Sequence, residues 1–372
     1  MKIICVFGTR PEAIKMAPLV KALEASPDHH CQVVVTAQHR EMLDQVLRLF
    51  EITPDFDLNI MKAGQTLEEI TSRALLGLSD IYREQKPDLV LVHGDTTTTF
   101  AGALGAFYEQ IPVGHVEAGL RTGNRYSPFP EEINRMLTGR LAEVHFAPTE
   151  GSRNNLLAEG VNPDTITVTG NTVIDALLMT ADRPFDLGSV PGLERLDLTK
   201  KILLVTSHRR ENLGEKMAQI FRAVSCLARE FDDEIQVVFP VHLNPRVREL
   251  AREHLEREPN VLLIEPLDYQ PFVALMKASY LILTDSGGIQ EEAPSLGKPV
   301  LVLRDTTERP EAVEAGTVQL CGTDFQSVYG AARTLLTVPE RYQAMAEAVN
   351  PYGDGQACGR IVRWIDDVFG KR

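Results

Sequence analysis

Three acidic side chains lie where a folded chain would hold them in place rather than expose them to solvent. Asp95, Glu117 and Glu131 each follow a strand-like run or a loop rich in glycine and proline. Carboxylates that converge in one cleft repel one another, which raises the pKa of at least one of them. A neutral acid and an anionic base can then coexist near pH 7. For Asp95 or Glu131 taken alone, a helix cap is an equally good interpretation.

Basic residues and a histidine occupy comparable positions. His208 follows a strand-like run and lies between a serine and two arginines, where a cation or a proton donor would face the same cleft. Arg10 and Lys15 follow the first strand, and Arg309 precedes a proline. Together these cations could neutralise a diphosphate, although each basic residue alone is more typical of a solvated surface.

A pair of glycines follows the strand-like run 281–284. Gly287 and Gly288, after Ser286, would let backbone N–H groups approach an anion at the start of a helix. A tight turn between strand and helix is the competing interpretation. Glu292, one helical turn further on, could accept hydrogen bonds from the two hydroxyls of a ribose, or could complement the helix dipole.

Several kinds of site have no signal in the sequence. Neither G-x-G-x-x-G nor G-x-x-x-x-G-K-S/T occurs, which disfavours nicotinamide dinucleotides and P-loop nucleotide hydrolysis. No metal-ligand spacing such as H-E-x-x-H occurs, and we expect neither a catalytic metal nor a cofactor. The five cysteines are scattered and never form C-x-x-C, which favours a reducing cytoplasm. Neither a signal peptide nor a membrane span is predicted.

The composition is that of an ordinary globular chain. Of 372 residues, 44% are hydrophobic and 24% are charged, and the length predicts two or three domains. Lys and Arg total 38 against 52 Asp and Glu, for a formal net charge of -14. Such a chain has no general basic field for nucleic acid, so any anion must bind at a local basic site.

The hydrophobic pattern predicts the elements that position these residues. Short, continuous apolar runs alternate with helical stretches, which is typical of parallel sheets built from βαβ units and buried on both faces. The predicted strands are 3–7, 33–36, 89–92, 113–116, 202–206, 236–239, 261–264, 281–284 and 300–303. The fold class is therefore α/β.

The order of strand and polar loop occurs twice along the chain. The run 3–7 and its Gly-Thr-Arg-Pro-Glu loop are echoed by 202–206 and Ser-His-Arg-Arg-Glu. Likewise, Gly-Asp-Thr-Thr after one run is echoed by Asp-Ser-Gly-Gly after another. Two similar Rossmann-like, doubly wound domains that face a cleft are predicted, with ligands beyond the carboxyl ends of the strands. We predict a first domain over 1–170 that also receives the C-terminal helix 355–372, and a second over 171–354.

Taken in order, the motifs resemble those of the bacterial non-hydrolysing UDP-N-acetylglucosamine 2-epimerases. They extend from the first strand to residue 355, nearly the whole chain. The motifs are 7–15 (FGTRPEAIK), 93–98 (HGDTTT), 116–122 (VEAGLRT), 130–135 (PEEINR), 169–172 (TGNT), 285–292 (DSGGIQEE), 304–311 (RDTTERPE) and 350–355 (NPYGDG).

The resemblance implies a glycosyltransferase-B-like fold, a homodimer, and the interconversion of UDP-N-acetylglucosamine (UDP-GlcNAc) and UDP-N-acetylmannosamine (UDP-ManNAc), which would supply ManNAc for bacterial surface polysaccharides. It places four residues around the sugar, namely Asp95, Glu117, Glu131 and His208. It implies that UDP is held by Arg10, Lys15, Leu267, Phe272, Ser286, Gly287, Gly288, Glu292 and Arg309.

The resemblance also implies a second UDP-GlcNAc that acts as an activator beside the active site. The positions that match this pocket are Gln38, His39, Glu131, Arg209 and His242. Glu41 and Gly64 stand where some members of the family have Gln and Arg. Gly64 in place of Arg removes a cation near a diphosphate, which weakens the case for the activator.

The implied reaction poses a clear physical problem. The C2 hydrogen of the sugar is not adjacent to a ring carbonyl, so direct deprotonation would leave an unstabilised carbanion. Anti elimination of UDP gives a 2-acetamidoglucal, and re-addition on the other face gives the epimer without a hydride cofactor. The reaction needs a base, an acid and positive charge for the departing diphosphate. The sequence does not decide which of Asp95, Glu117 and Glu131 is the base and which the acid.

Three other activities fit the same motifs less closely. A glycosyltransferase would use the fold to pass the sugar to an acceptor, and a hydrolysing relative would release UDP and free ManNAc. A nucleotide-sugar sensor would bind UDP-GlcNAc without exchanging the C2 hydrogen with solvent, and it would need no converging acids.

Overall fold

The computed structural model describes residues 1–37, 40–62 and 64–369, and these form two compact units. Unit 1 comprises Met1–Met179 and Tyr352–Arg372, and unit 2 comprises Thr180–Pro351. The sequence predicts boundaries after residues 170 and 354, so the helix that begins at Thr172 was assigned to the second domain. In the structure, most of this helix belongs to unit 1.

Unit 1 contains a seven-stranded parallel sheet. The strand order is β3-β2-β1-β4-β5-β6-β7. The sheet is doubly wound because β2 and β3 are added on one side of β1 and the later strands on the other side. The strands are β1 (Lys2–Phe7), β2 (His30–Val35), β3 (Phe56–Asp57), β4 (Leu89–His93), β5 (Val113–Val116), β6 (Val144–Ala147) and β7 (Ile166–Val168). The helices are α1 (Arg10–Glu24), α2 (Arg40–Leu49), α3 (Leu67–Gln85), α4 (Thr97–Tyr108), α5 (Glu131–Leu141), α6 (Glu150–Ala158) and α7 (Thr172–Ala181).

Unit 2 repeats this topology with six parallel strands in the order β10-β9-β8-β11-β12-β13. Here β9 and β10 lie on one side of β8, and β11, β12 and β13 lie on the other side. The strands are β8 (Lys201–Thr206), β9 (Ile235–Pro240), β10 (Val261–Ile264), β11 (Leu281–Thr284), β12 (Val300–Val302) and β13 (Val318–Leu320). The helices are α8 (Glu215–Glu230), α9 (Pro245–Leu255), α10 (Tyr269–Ala278), α11 (Gly287–Glu292), α12 (Pro310–Glu314), α13 (Phe325–Thr337) and α14 (Pro339–Ala346).

The C-terminal helix α15 (Ala357–Phe369) packs on unit 1. Ile361 and Ile365 are fully buried on its inner face. Asp175 of α7 accepts hydrogen bonds from the backbone N–H groups of Ala357 and Cys358, at 3.2 and 2.9 Å. Orphan N–H groups at the start of α15 are thereby satisfied, and α7 is tied to the same unit.

The predicted α/β class with two doubly wound sheets is confirmed. All nine predicted runs form strands, because strands buried on both faces have continuous apolar sequences. The strands that the sequence analysis missed are β3, β6, β7 and β13. Strand β3 has two residues, β7 and β13 have three each, and His145 interrupts the apolar run of β6. Among the described residues, no helix has the length and apolarity that crossing a bilayer requires.

Candidate active site

Several predicted site residues follow the strands at which the order of each sheet reverses, namely Arg10, Asp95, His208 and Ser286. In unit 1, the loops after β1 and β4 begin at Gly8 and Gly94; in unit 2, those after β8 and β11 begin at Ser207 and Asp285. In doubly wound sheets, ligands bind beyond the carboxyl ends of the strands at such points. Each unit therefore has its own cluster of polar side chains.

The first two loops of unit 1 are joined by Glu12, a buried carboxylate in the first turn of α1. It accepts hydrogen bonds from the backbone N–H groups of Gly8 and Thr9, at 3.0 and 2.8 Å. It also accepts from the hydroxyls of Thr96 and Thr99, at 2.6 and 3.1 Å. Burial raises the pKa of Glu12, and these hydrogen bonds oppose the rise. One side chain thus fixes the loop that carries Arg10 relative to the loop that carries Asp95.

Glu117 is the most tightly surrounded acid of unit 1. Lys15 donates a hydrogen bond to its Oε2, and Asn171 Nδ2 donates to the same atom from 3.0 Å. His93 Nε2 lies 3.8 Å from that oxygen. The backbone of Glu117 is left-handed, with φ of 61°, which turns the chain sharply at the end of β5.

The positive charge beside Glu117 belongs to Lys15. Burial lowers the pKa of His93 to about 4, so that this imidazole is neutral near pH 7. The side chains of Lys15 and Glu117 are only 18% and 8% exposed, so water screens their attraction weakly. The carboxylate is therefore stabilised as an anion. The family resemblance, by contrast, implies that Lys15 holds UDP.

Asp95 lies after β4 and contacts helix α5. Arg135 donates a hydrogen bond to its carboxylate, and Asn134 Nδ2 donates to its backbone oxygen from 3.0 Å. Burial raises the pKa of Asp95, the charge of Arg135 opposes the rise, and the negative charge of Glu117 adds to it. The expectation that neighbouring carboxylates raise one another's pKa thus has a physical basis at Asp95.

The helix-cap interpretation is wrong for both acids to which it was applied. The cap of α4 is Thr96, whose hydroxyl accepts from the N–H of Thr99 at 3.2 Å. Glu131 is the first residue of α5, whose cap position is Pro130. Glu131 is half-buried and shares its helix with the two residues that contact the Asp95 loop.

In unit 2, Asp285 connects the loop after β11 to His208 in the loop after β8. Nδ1 of His208 lies 3.1 Å from Oδ1 of Asp285. The imidazole is 41% exposed and stacks on the ring of His242 with centroids 5.5 Å apart. The structure therefore holds the ring of His208 on two sides and leaves part of it accessible.

Two guanidinium groups meet at the glycine turn of unit 2. A Cβ atom placed on Gly287 would lie 3.9 Å from Nη2 of Arg309 and 4.0 Å from Nη2 of Arg209. Arg309 also donates from Nε to Glu291, a buried carboxylate. Helix α11 has only six residues, so the dipole invoked in the sequence analysis is small, and the positive charge at this turn comes mainly from the arginines.

The remaining predicted UDP-binding residues lie in or beside α10 and α11, or on α1. Glu292 is the last residue of α11 and not in its first turn, so the alternative that Glu292 complements the helix dipole is wrong. Its carboxylate accepts a hydrogen bond from the hydroxyl of Tyr269 at 3.2 Å. Phe272 lies on α10 and Leu267 two residues before it begins, and both are half-buried. Ser286 occupies the cap position of α11. Arg10 is the half-buried first residue of α1.

Of the positions that match the activator pocket, Gln38 and His39 lie outside the described residues. Arg209 Nε donates to the backbone oxygen of Asp285 from 3.3 Å, and its Nη2 lies 3.9 Å from Glu308. His242 contacts His208 by stacking. Arg209 and His242 therefore lie beside the same loops as His208.

The sequence analysis missed several polar residues that hold the predicted ones. They are Asn171, Arg135, Tyr269, Asp285 and Glu291. All except Tyr269 lie inside the motifs that carry the family resemblance, and this membership was the available signal. Their individual roles depend on partners from distant loops, which spacing along the chain does not reveal.

Comparison with known proteins gives a consistent result. Residues 21–366 match the family model described as UDP-N-acetylglucosamine 2-epimerase. The UDP-N-acetylglucosamine 2-epimerase of Bacillus subtilis is 60% identical over 372 residues, which cover 100% of this chain and 97% of the relative.

Solved structures agree with this result. The UDP-GlcNAc 2-epimerase of Neisseria meningitidis, solved with UDP-GlcNAc bound, has a TM-score of 0.85 and 53% identity, over 99% of this chain and 100% of that one. A glycosyltransferase of Rickettsia africae, at 13% identity, has a TM-score of 0.65 over 100% and 99% of the two chains, which shows a shared fold alone. The glycosyltransferase-B-like fold is confirmed.

Proposed function

Because the chain belongs to the UDP-N-acetylglucosamine 2-epimerase family and is an epimerase, we propose that it interconverts UDP-GlcNAc and UDP-ManNAc by inverting C2 of the sugar. The two relatives above carry this activity in their names, and one of them was solved with UDP-GlcNAc bound. The reaction moves one hydrogen and breaks and remakes one C–O bond, so it needs neither an oxidant nor a reductant.

The observation that carries the proposal is the contrast between Glu117 and Asp95. Lys15 stabilises the anionic form of Glu117, whereas burial raises the pKa of Asp95. Two carboxyl groups whose environments favour different protonation states can act as base and acid in one reaction. We therefore assign Glu117 as the base that removes the C2 hydrogen and Asp95 as a proton donor to that carbon. Glu131, on the first turn of α5, is assigned to the same sugar.

The chemical step follows from this assignment. Glu117 takes the C2 proton while the C1–O bond breaks, and its electron pair leaves with UDP. The neutral product is a 2-acetamidoglucal. A proton from Asp95 then returns to C2 on the opposite face while UDP adds back to C1, which gives the epimer. The proton count balances over the cycle once solvent restores both carboxyl groups.

Unit 2 supplies the groups that suit a nucleoside diphosphate. The guanidinium groups of Arg209 and Arg309 meet at Gly287, where the absence of a side chain lets an anion approach the backbone. Glu292 presents a carboxylate that can accept from ribose hydroxyls. His208 adds a donor toward the departing diphosphate, and positive charge at that place stabilises the charge that develops as UDP leaves.

Other expectations from the resemblance remain part of the proposal. They are the homodimer, the cytoplasmic location, the second UDP-GlcNAc as an activator, and the supply of ManNAc to bacterial surface polysaccharides. The positions of Arg209 and His242 beside His208 are compatible with a second ligand. Glu41 and Gly64 replace a polar and a basic residue of some relatives, so we expect the second UDP-GlcNAc to bind more weakly here.

Incubation of the purified protein with UDP-GlcNAc alone tests the activity. We expect UDP-ManNAc to appear without any acceptor, and its proton NMR spectrum identifies it. Accumulation of UDP and free ManNAc would instead show a hydrolase. Unchanged UDP-GlcNAc would show a sensor if calorimetry detects binding, and a requirement for an acceptor would show a glycosyltransferase.

A further inference from the structure

The two carboxylate oxygens of Asp285 have different partners. Oδ2 accepts from the Ser207 hydroxyl at 3.0 Å, from the backbone N–H groups of His208 and Arg209, both at 2.9 Å, and from Asn212 Nδ2 at 3.2 Å. Oδ1 lies 3.1 Å from Nδ1 of the His208 ring and 3.2 Å from its backbone nitrogen. Oδ2 thus holds the loop, whereas Oδ1 contacts the imidazole.

The charge state of Asp285 decides whether its Oδ1 or Nδ1 of His208 is the hydrogen-bond donor. The residue is fully buried, and burial alone would raise its pKa; hydrogen bonds from His208 and from the N–H of Arg209 outweigh burial and lower the pKa. An ionised carboxylate can only accept hydrogen bonds. The 3.1 Å approach of Nδ1 of His208 to Oδ1 is therefore favourable when Nδ1 carries the hydrogen, which leaves Nε2 for a ligand.

We propose that Asp285 is a positioning residue for His208, which fixes the imidazole with Nδ1 protonated and Nε2 available to the departing diphosphate. The stacked ring of His242 restricts the same imidazole from one face. When His208 is charged, Oδ1 of Asp285 balances the charge while Nε2–H donates to phosphate oxygen. Asp285 itself neither gains nor loses a proton. The kinetic consequence rests on the proposed function, whereas the position of the ring hydrogen does not.

The substitution Asp285→Asn separates the two oxygens. The four donors at Oδ2 require an acceptor, so the amide oxygen takes that place and the loop keeps its contacts. The amide NH2 group then faces Nδ1 of His208, which must accept rather than donate. The neutral ring moves its hydrogen to Nε2, and the doubly protonated ring loses its partner. A comparable substitution in a His–Asp pair leaves the geometry intact and gives the wrong tautomer.

Nitrogen-15 NMR of the full-length protein labelled in its histidines shows which ring nitrogen of His208 carries the hydrogen. The signals of His208 are assigned from their loss in His208→Gln. At a pH where the ring is neutral, we expect hydrogen on Nδ1 in the wild type and on Nε2 in Asp285→Asn. Hydrogen on Nε2 in the wild type would overturn the proposal without any variant of Asp285. This readout is independent of whether the protein epimerises UDP-GlcNAc.

Kinetics supply the second readout. We expect Asp285→Asn to lower kcat by about tenfold or more while UDP affinity changes less than about threefold. In a His208→Gln background the same substitution should cost less than about twofold, because its target is already gone. Losses that multiply would show that Asp285 only supports the loop. Ser207→Ala, which removes an Oδ2 contact and leaves Oδ1 untouched, is the matched control and should keep kcat within about twofold.

Discussion

The ammonium group of Lys15 donates a hydrogen bond to the carboxylate of Glu117, which lies 102 positions further along the chain. Asn171 donates to the same oxygen. The family resemblance implies that Lys15 holds the diphosphate of the substrate, whereas the structure pairs it with an acid of unit 1. These two roles have different kinetic consequences.

Lys15→Met removes the charge and keeps much of the side-chain volume. We expect kcat to fall by about two orders of magnitude, because Glu117 loses the cation that stabilises its anionic form. UDP affinity, measured by calorimetry, should change less than about threefold. Lys21→Met removes a lysine of the same helix that donates to the Glu24 carboxylate and to the backbone oxygen of Glu51 at the surface, and it should alter neither quantity. A large loss of UDP affinity with kcat retained would instead show that Lys15 binds the diphosphate of UDP.

Isosteric amides test the three acids one at a time. Asp95→Asn, Glu117→Gln and Glu131→Gln should each lower kcat by about two orders of magnitude or more while UDP still binds, because Asp95 and Glu117 transfer the C2 proton and Glu131 is assigned to the same sugar. Glu150→Gln, at a side chain that is 71% exposed on α6, is the control. Near-normal turnover in any of the three variants would remove that residue from the mechanism.

Acid should destabilise the protein through its buried histidines. Burial lowers the pKa of His115 to about 3 from an ordinary value of 6.5, and its Nε2 lies 2.7 Å from the backbone oxygen of Gly94. Between these two pKa values, His115 is protonated in the unfolded chain and neutral in the folded chain. This contribution to stability is fully present above pH 6.5 and is lost as the pH falls toward 3. Between pH 7 and 5 the loss is about 2 kcal/mol.

Urea unfolding of the wild type and His115→Asn at pH 7 and pH 5 measures this loss. The variant should be less stable at pH 7 but should lose about 2 kcal/mol less on acidification. His30→Asn, at an exposed histidine, should keep the wild-type pH dependence. Because burial raises the pKa of Glu12 and Asp95, these acids oppose the trend, so the difference between variants is the test. Equal pH dependence in wild type and His115→Asn would contradict the assignment.

Two glycines should respond to alanine in opposite ways. Gly119 has φ of 90°, and a Cβ there would lie 2.2 Å from the backbone oxygen of Ser152. Gly119→Ala should destabilise unit 1 by about 3 kcal/mol or more and disturb the turn that carries Glu117. Gly330, within α13, has open space at its Cβ position, and Gly330→Ala should stabilise by up to about 1 kcal/mol. Thermal unfolding compares the two variants. An unchanged Tm in Gly119→Ala would contradict the requirement for glycine at this turn.

The order of elements was predictable, and the partners of individual side chains were not. Buried parallel strands leave continuous apolar runs, and a doubly wound sheet sends their carboxyl ends to one edge, so the loop of Asp95 in the first sheet and the loop of His208 in the second could each be recognised as a candidate ligand-binding loop. The pairing of Lys15 with Glu117 depends on two loops that meet only after folding. The sequence shows Asp285 only as a member of the Asp-Ser-Gly-Gly segment and of the motif 285–292, because its four donors come from the loop after β8.

The proton transfer at C2 is tested most directly by proton NMR of UDP-GlcNAc with the wild-type protein in heavy water. The mechanism predicts that UDP-ManNAc forms, that deuterium from solvent replaces the C2 hydrogen in the product, and that Glu117→Gln suppresses both changes together. Formation of UDP-ManNAc with the original hydrogen retained at C2 would contradict an acid–base elimination carried by these carboxyl groups.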